Sequence, residues 1–190
     1  MIPYKNFFLS KSLFLRGLRC YKSLYLKKYH PYLRDEVPEF QNSLLESGMD
    51  VGMYARRLFP DGIEIPFDGM SIAGQIEKTK KAIDAGATTL YEAAFSHDNV
   101  FVKADILHKG KQGWEIYEVK SSTSVKDYHS EDIAVQHYVI KGAGLPVSKA
   151  CLTHINNKYV RNGDIEVDEL FATVDLIESV VEKQDFIKDE

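Results

Sequence analysis

An α/β fold with a mixed central sheet flanked by helices is predicted by three observations. Three stretches in a row read as strands: Thr88 to Phe95, Val100 to Leu107 and Gly113 to Lys120. Helical patterns bracket them, Ser71 to Ala85 before and Glu131 to Lys141 after. Val147 to Ile155 then alternates like a fourth main strand. The central order αβββαβ has hairpin-linked strands followed by a crossover helix, which requires both antiparallel and parallel pairing in one sheet.

Each element has its own warrant. Ser10 or Ser12 is placed to cap a first helix, interrupted near Gly17 to Cys20 and resumed through Tyr21 to Tyr29. Pro31 ends it. A second helix is expected from about Pro38 to Leu58, before Pro60-Asp-Gly62. Its small residues Gly48, Gly52 and Ala55 recur at helical spacing, for close helix packing or for the approach of a ligand. Ser71 to Ala85 carries Ile72, Ile76, Thr79 and Ile83 along one side and closes at Gly86. Ser96-His-Asp-Asn99 and Lys109-Gly-Lys-Gln-Gly113 suit the turns of two hairpins. The helix after the third strand stops at Gly142-Ala-Gly144. The tail from Val167 to about Glu182 reads as one amphipathic helix, with Leu170, Val174, Leu176, Ile177 and Val180 on its apolar side.

At 190 residues and 44% hydrophobic content, the chain suits one structural domain with a sizeable core. Residues 1–60 are expected to form a basic helical region packed on a core of residues 61–190. No apolar run approaches the length of a membrane span. Two cysteines, Cys20 and Cys151, make no disulfide framework, so a cytoplasmic location is expected.

The net charge of −4 hides an asymmetry. Eight of the 24 basic residues fall between Lys5 and Arg34, and no acid precedes Asp35. The remainder holds 16 basic against 28 acidic residues. A basic arm on an acidic body points to an anionic partner. A membrane-surface helix or a solvated helix without a ligand are the alternatives.

Asp105, Glu118 and Lys120 carry the chemistry. Glu118 and Lys120 are two apart in a strand and share a face, and Asp105 lies on the neighbouring strand. Charge among apolar flanks needs a purpose, because burying it unpaired is costly. Two carboxylates beside an ammonium suit a hard divalent cation with its water. The plainer alternatives are a hairpin-turn Asp105 and a simple Glu118–Lys120 ion pair. His97, His129, His137 and His154 show no ligand spacing and read as turn or surface residues, and Trp114 and Tyr117 as core.

The order of elements, with Asp105 followed by Glu118-Val119-Lys120, resembles the PD-(D/E)xK nuclease superfamily. Gln136-His-Tyr138 on the next helix resembles the Q-x-Y element of its RecB-like branch, and the opening Leu9-Ser-Lys-Ser-Leu13 resembles the helical region of RecB-like and CRISPR-associated nucleases. The resemblance implies a restriction-endonuclease-like core and a Mg²⁺- or Mn²⁺-dependent deoxyribonuclease of exonuclease type, serving repair, recombination or defence. It implies Asp105, Glu118 and Lys120 as catalytic residues, with Asp105, Glu118, the Val119 carbonyl and Glu92 as metal ligands. Gln136, Tyr138, Lys11, Arg16, Arg19 and Ser121 would hold single- or double-stranded DNA. Gly52 stands where relatives often carry a metal-binding His, and Ala104 where a Pro usually precedes the motif Asp. The cysteines do not match an iron-sulfur set, and no cluster is expected. An additional domain, a partner protein or a homo-oligomer is compatible with the tail. A member of the same fold that binds nucleic acid or protein without catalysis is the rival reading.

Overall fold

The computed structural model describes residues 9–35, 50–67 and 69–190. The predicted α/β architecture is present: a mixed seven-stranded sheet with helices on its faces. β1 (Leu9–Ser10) leads into α1 (Lys11–Arg19) and α2 (Tyr21–Tyr29), and a short 3₁₀ turn follows at Pro31–Leu33. The expected helix over Pro38–Leu58 lies partly outside the described residues; residues 50–56 are helical (α3). Next come β2 (Ile63–Glu64), α4 (Ile72–Asp84), β3 (Thr89–His97), β4 (Val100–Lys109) and β5 (Trp114–Lys120). α5 (Asp127–Gly142) crosses over to β6 (Val147–Ile155). α6 (Val167–Leu170), β7 (Phe171–Asp175), α7 (Ile177–Glu182) and α8 (Gln184–Asp189) close the chain.

The strand order is β2-β3-β4-β5-β6-β7, with β1 attached to β4. β3, β4 and β5 are antiparallel neighbours, and the α5 crossover makes β6 parallel to β5. The N-terminal helices match expectation. The Ser10 hydroxyl caps α1 by accepting from Leu13 N–H, and extended Cys20 (φ −168°) breaks α1 from α2.

Three expectations are corrected. The tail is not one helix: Phe171–Asp175 pairs antiparallel with β6. Its apolar spacing fits a helix, but Thr173 and Val174 are β-branched and an open sheet edge offers backbone partners. The buried face of α4 is centred on Gln75 and Thr79, while Ile72 is exposed. Thr79 explains the shift, since its hydroxyl accepts from Ala94 N–H of β3 at 2.9 Å. His129, His137 and His154 are buried rather than surface residues. His129 Nδ1 accepts from Lys126 N–H at the start of α5, and His137 Nδ1 meets Gln184 Oε1 at 2.9 Å.

The sheet has two apolar faces. One core holds Ile133, Val135, Val139 and Ile140 of α5 against Leu90, Val102, Ile116 and Leu152. The other holds Ala55 of α3 against Tyr91, Ile106, Tyr117 and Cys151. Trp114 and Tyr117 are buried, as expected. β3 and β4 each change face once. Leu90 and Ala93 serve the same core although three residues apart, as do Ala104 and Leu107. The switches fall at Glu92 and Asp105, which face each other between the pairs Tyr91↔Ile106 and Ala93↔Ala104. Glu92 is the pivot, at φ 57° in the left-handed region. A non-glycine residue there costs about 1–3 kcal/mol.

Candidate functional site

The site is a fork between β4 and β5. The two strands pair from Lys109↔Trp114 to Ile106↔Tyr117 and then part. Asp105 makes the parting possible: its Oδ2 accepts the Val119 N–H at 2.8 Å, replacing a ladder partner. Beyond the fork β5 stays paired to β6 through Val119↔Thr153 and Lys120↔His154. β1 takes the freed edge of β4 at Val100 and Phe101. That pairing brings Lys11, the first residue of α1, over the fork.

Five charged side chains then meet. Glu118 points toward α5 and is only 2% exposed. Lys11 Nζ donates to its two oxygens at 3.0 and 3.1 Å. Lys120 Nζ also donates to Glu118 Oε1, and Gln136 Nε2 donates to Oε2 at 2.6 Å. Asp132 on α5 completes the set, 2.8 Å from Lys11 and 2.7 Å from Lys120. Asp132 and Gln136 are four apart and share the helix face that looks onto the fork. Gln136 Oε1 is buried and has no hydrogen-bond partner among the described residues.

The charges reshape one another. Burial and then the Glu118 carboxylate push Asp105 up to about 7, against the pull of Lys11 and Lys120. Burial also opposes ionisation of Asp132, but Lys11 and Lys120 outweigh it and hold that carboxyl well below the usual range. For both lysines burial disfavours the charge, while Glu118 and Asp132 more than compensate and raise the ammonium groups above their ordinary value. With Asp105 protonated, two ammonium groups balance two carboxylates. With it ionised, the cluster carries one excess negative charge.

Asp105, Glu118, Val119, Lys120, Gln136 and Lys11 therefore converge. Asp132 belongs with them and was missed by sequence reasoning; its spacing four before Gln136 was the available signal. Glu92 is engaged elsewhere, with Lys103 at 2.8 Å and Arg56 at 3.6 Å. The Tyr138 hydroxyl donates to Asp98 on the β3–β4 turn at 2.5 Å, rather than to the fork, and that contact raises it to about 12. Arg16 donates to the Ser23 hydroxyl, and the Arg19 guanidinium lies over the Tyr128 ring at 5.8 Å. A recess of about 310 Å³ opens on the cluster, lined in part by Ser121, Lys120, Asp132, Arg19 and Tyr128. A Cβ at Gly52 would meet no atom of the described residues within 4 Å.

Among the described residues, no group of three or more His, Cys, Asp or Glu side chains is arranged to hold a metal ion. No described helix is long and apolar enough to cross a membrane.

No protein-family model matches the chain, and no curated protein does. A solved structure, the crystal structure of SSO0001, is similar at a TM-score of 0.36 and 11% identity, covering 98% of this chain and 79% of that one. A likeness that weak carries no argument about activity.

Proposed function

We propose that the protein is a metal-dependent nuclease that hydrolyses DNA phosphodiester bonds at the β4–β5 fork. The observation that carries this reading is the convergence of Asp105, Glu118 and Lys120, with Lys11, Asp132 and Gln136 around them. The donor chemistry fits Mg²⁺ or Mn²⁺, since the acids offer hard oxygens. Burial and then repulsion from Glu118 lift Asp105 to about 7, and a cation beside it would offset both. When bound, such an ion lowers the pKa of its water and neutralises charge on the phosphate.

The residues divide the remaining work. Asp105 and Glu118, with the Val119 carbonyl, would hold the ion. Lys11, which here bonds both Glu118 oxygens, would be the ammonium to turn to a phosphate oxygen if Glu118 held an ion. Lys120 stays anchored by Asp132, so its ammonium is preorganised for charge that develops as the bond breaks. Gln136 fixes the Glu118 carboxylate from below. Ser121, beside Lys120 on the recess, faces the incoming strand. Glu92 and Tyr138 have no part in this scheme.

A second reading has its own support. Ammonium groups already satisfy Glu118 and Asp132, which suits a nucleic-acid-binding module that does not cleave. One assay separates the two. Labelled single- and double-stranded DNA is incubated with Mg²⁺ or Mn²⁺, using wild type, Asp105→Ala and Lys120→Ala. Nuclease action requires cleavage by wild type and a loss of at least about 100-fold in Lys120→Ala. Equal cleavage by all three proteins would mean contamination and would end the hydrolytic reading.

A further inference from the structure

Three recesses join end to end along α1 and α2. The first opens on Lys120 and Asp132 at the fork. The second, about 380 Å³, shares Leu15 and Arg19 with the first and adds Arg16. The third, about 590 Å³, shares Arg16, Cys20 and Ser23 with the second and reaches Lys22, Lys27 and Arg34. The shared residues set the three recesses in a row from the charge cluster along the arm to the 3₁₀ turn.

Its charge is one-sided. Arg19, Arg16, Lys22, Lys27 and Arg34 line it in sequence, with Asp132 at one end and Asp35 at the other. α2 buries none of its residues, so its Lys22 and Lys27 are not held there to build a core. At the mouth Tyr128 is 49% exposed, with the Arg19 guanidinium against its ring. Phosphates need spaced cations; an exposed ring beside a guanidinium is useful to an unpaired base, which presents its π-face, and not to a base inside a duplex.

We propose that this path is a binding track for single-stranded nucleic acid, with Arg16, Lys22, Lys27 and Arg34 on the phosphates and Tyr128 stacked on a base beside the fork. The proposal deepens the nuclease reading and rests on it for the strand's destination. The track itself needs no metal.

The test is therefore made in EDTA, by fluorescence anisotropy of a labelled oligothymidylate at several salt concentrations. Arg16→Gln/Lys22→Gln/Lys27→Gln is expected to bind at least tenfold more weakly. Its plot of log affinity against log salt should be shallower by about 2, from roughly 0.7 per phosphate contact. Tyr128→Ala should lose about tenfold and Tyr128→Phe little. A duplex of equal length should bind more weakly than the single strand. Thermal melts show whether each variant is folded, and Lys22→Gln/Lys27→Gln spares the Arg16–Ser23 contact if the triple variant is not.

Unchanged affinity in the folded variants overturns the track, and so does equal or tighter duplex binding. Binding to anionic phospholipid vesicles with none to the strand assigns the arm to a membrane surface and also overturns it. A wild type that cleaves DNA but binds no better than the triple variant defeats the track alone. A wild type that binds the strand in this pattern but never cleaves defeats the hydrolytic reading alone.

Discussion

α5 and α2 are both polar enough in sequence to pass for surface helices, yet their fates are opposite. Ten of the sixteen residues of α5 are buried, including His129, Asp132, Gln136 and His137. None of the nine in α2 is. α5 is enclosed because it lies on the sheet and is itself covered by α7 and α8, with Gln184 Nε2 bonded to the Ala134 carbonyl. α2 touches the body chiefly through α1. The difference teaches where polar residues are structural and where they are available. On α5 they are partners in a closed network; on α2 Lys22 and Lys27 stand exposed on the surface.

Substitutions can break this contrast. The largest effect is expected in the interior. Ile133→Ala or Ile140→Ala on α5 should cost roughly 2–5 kcal/mol by denaturant unfolding, since both side chains are fully buried. Lys22→Ala on α2 should stay within about 0.5 kcal/mol. A comparable loss at Lys22 would show that the arm is part of the core after all.

Asp132→Ala comes next. It leaves Lys11 and Lys120 sharing Glu118 alone, partly open to solvent. A destabilisation of roughly 1–3 kcal/mol is expected, between the values for exposed and fully buried pairs. Asp132→Asn, which keeps the shape, should cost less.

A further contrast concerns pH. Asp105 is raised from 3.8 unfolded to about 7 folded, so the folded protein holds its proton more tightly. Its contribution to stability is full below about pH 4 and is lost as pH rises through about 7. Asp105→Asn should flatten that part of the stability–pH curve. Calorimetric Mn²⁺ binding should run the other way, strengthening as Asp105 ionises. A metal affinity that is flat across that window would remove Asp105 from the ligand set.

The sequence made some of this visible and hid the rest for physical reasons. Alternation along β5 put Glu118 and Lys120 on one side, and the hairpin put Asp105 next to them, because short-range geometry is sufficient for both. Lys11 was legible as a basic residue but not as the partner of Glu118, which lies 107 positions away and is reached only through the β1–β4 pairing. Asp132 carried no strand signal and looked like helix surface. The tail misled because Leu170, Val174 and Ile177 have helical spacing, and only the waiting edge of β6 reveals that residues 171–175 complete a sheet. Buried His137 escaped because its partner, Gln184, comes from elsewhere in the chain.

That last strand has a further consequence. β7 covers β6 from Cys151 to Ile155, while the opposite border of the sheet is the two-residue β2. The sheet thus ends in short strands on both flanks, five residues at β7 and two at β2. A chain cut after Asn157 would bare most of a nine-residue ribbon, five of whose residues in a row are buried: Ala150, Cys151, Leu152, Thr153 and His154. Such a fragment should self-associate into β-rich aggregates, detectable by thioflavin fluorescence, where the full chain stays dispersed.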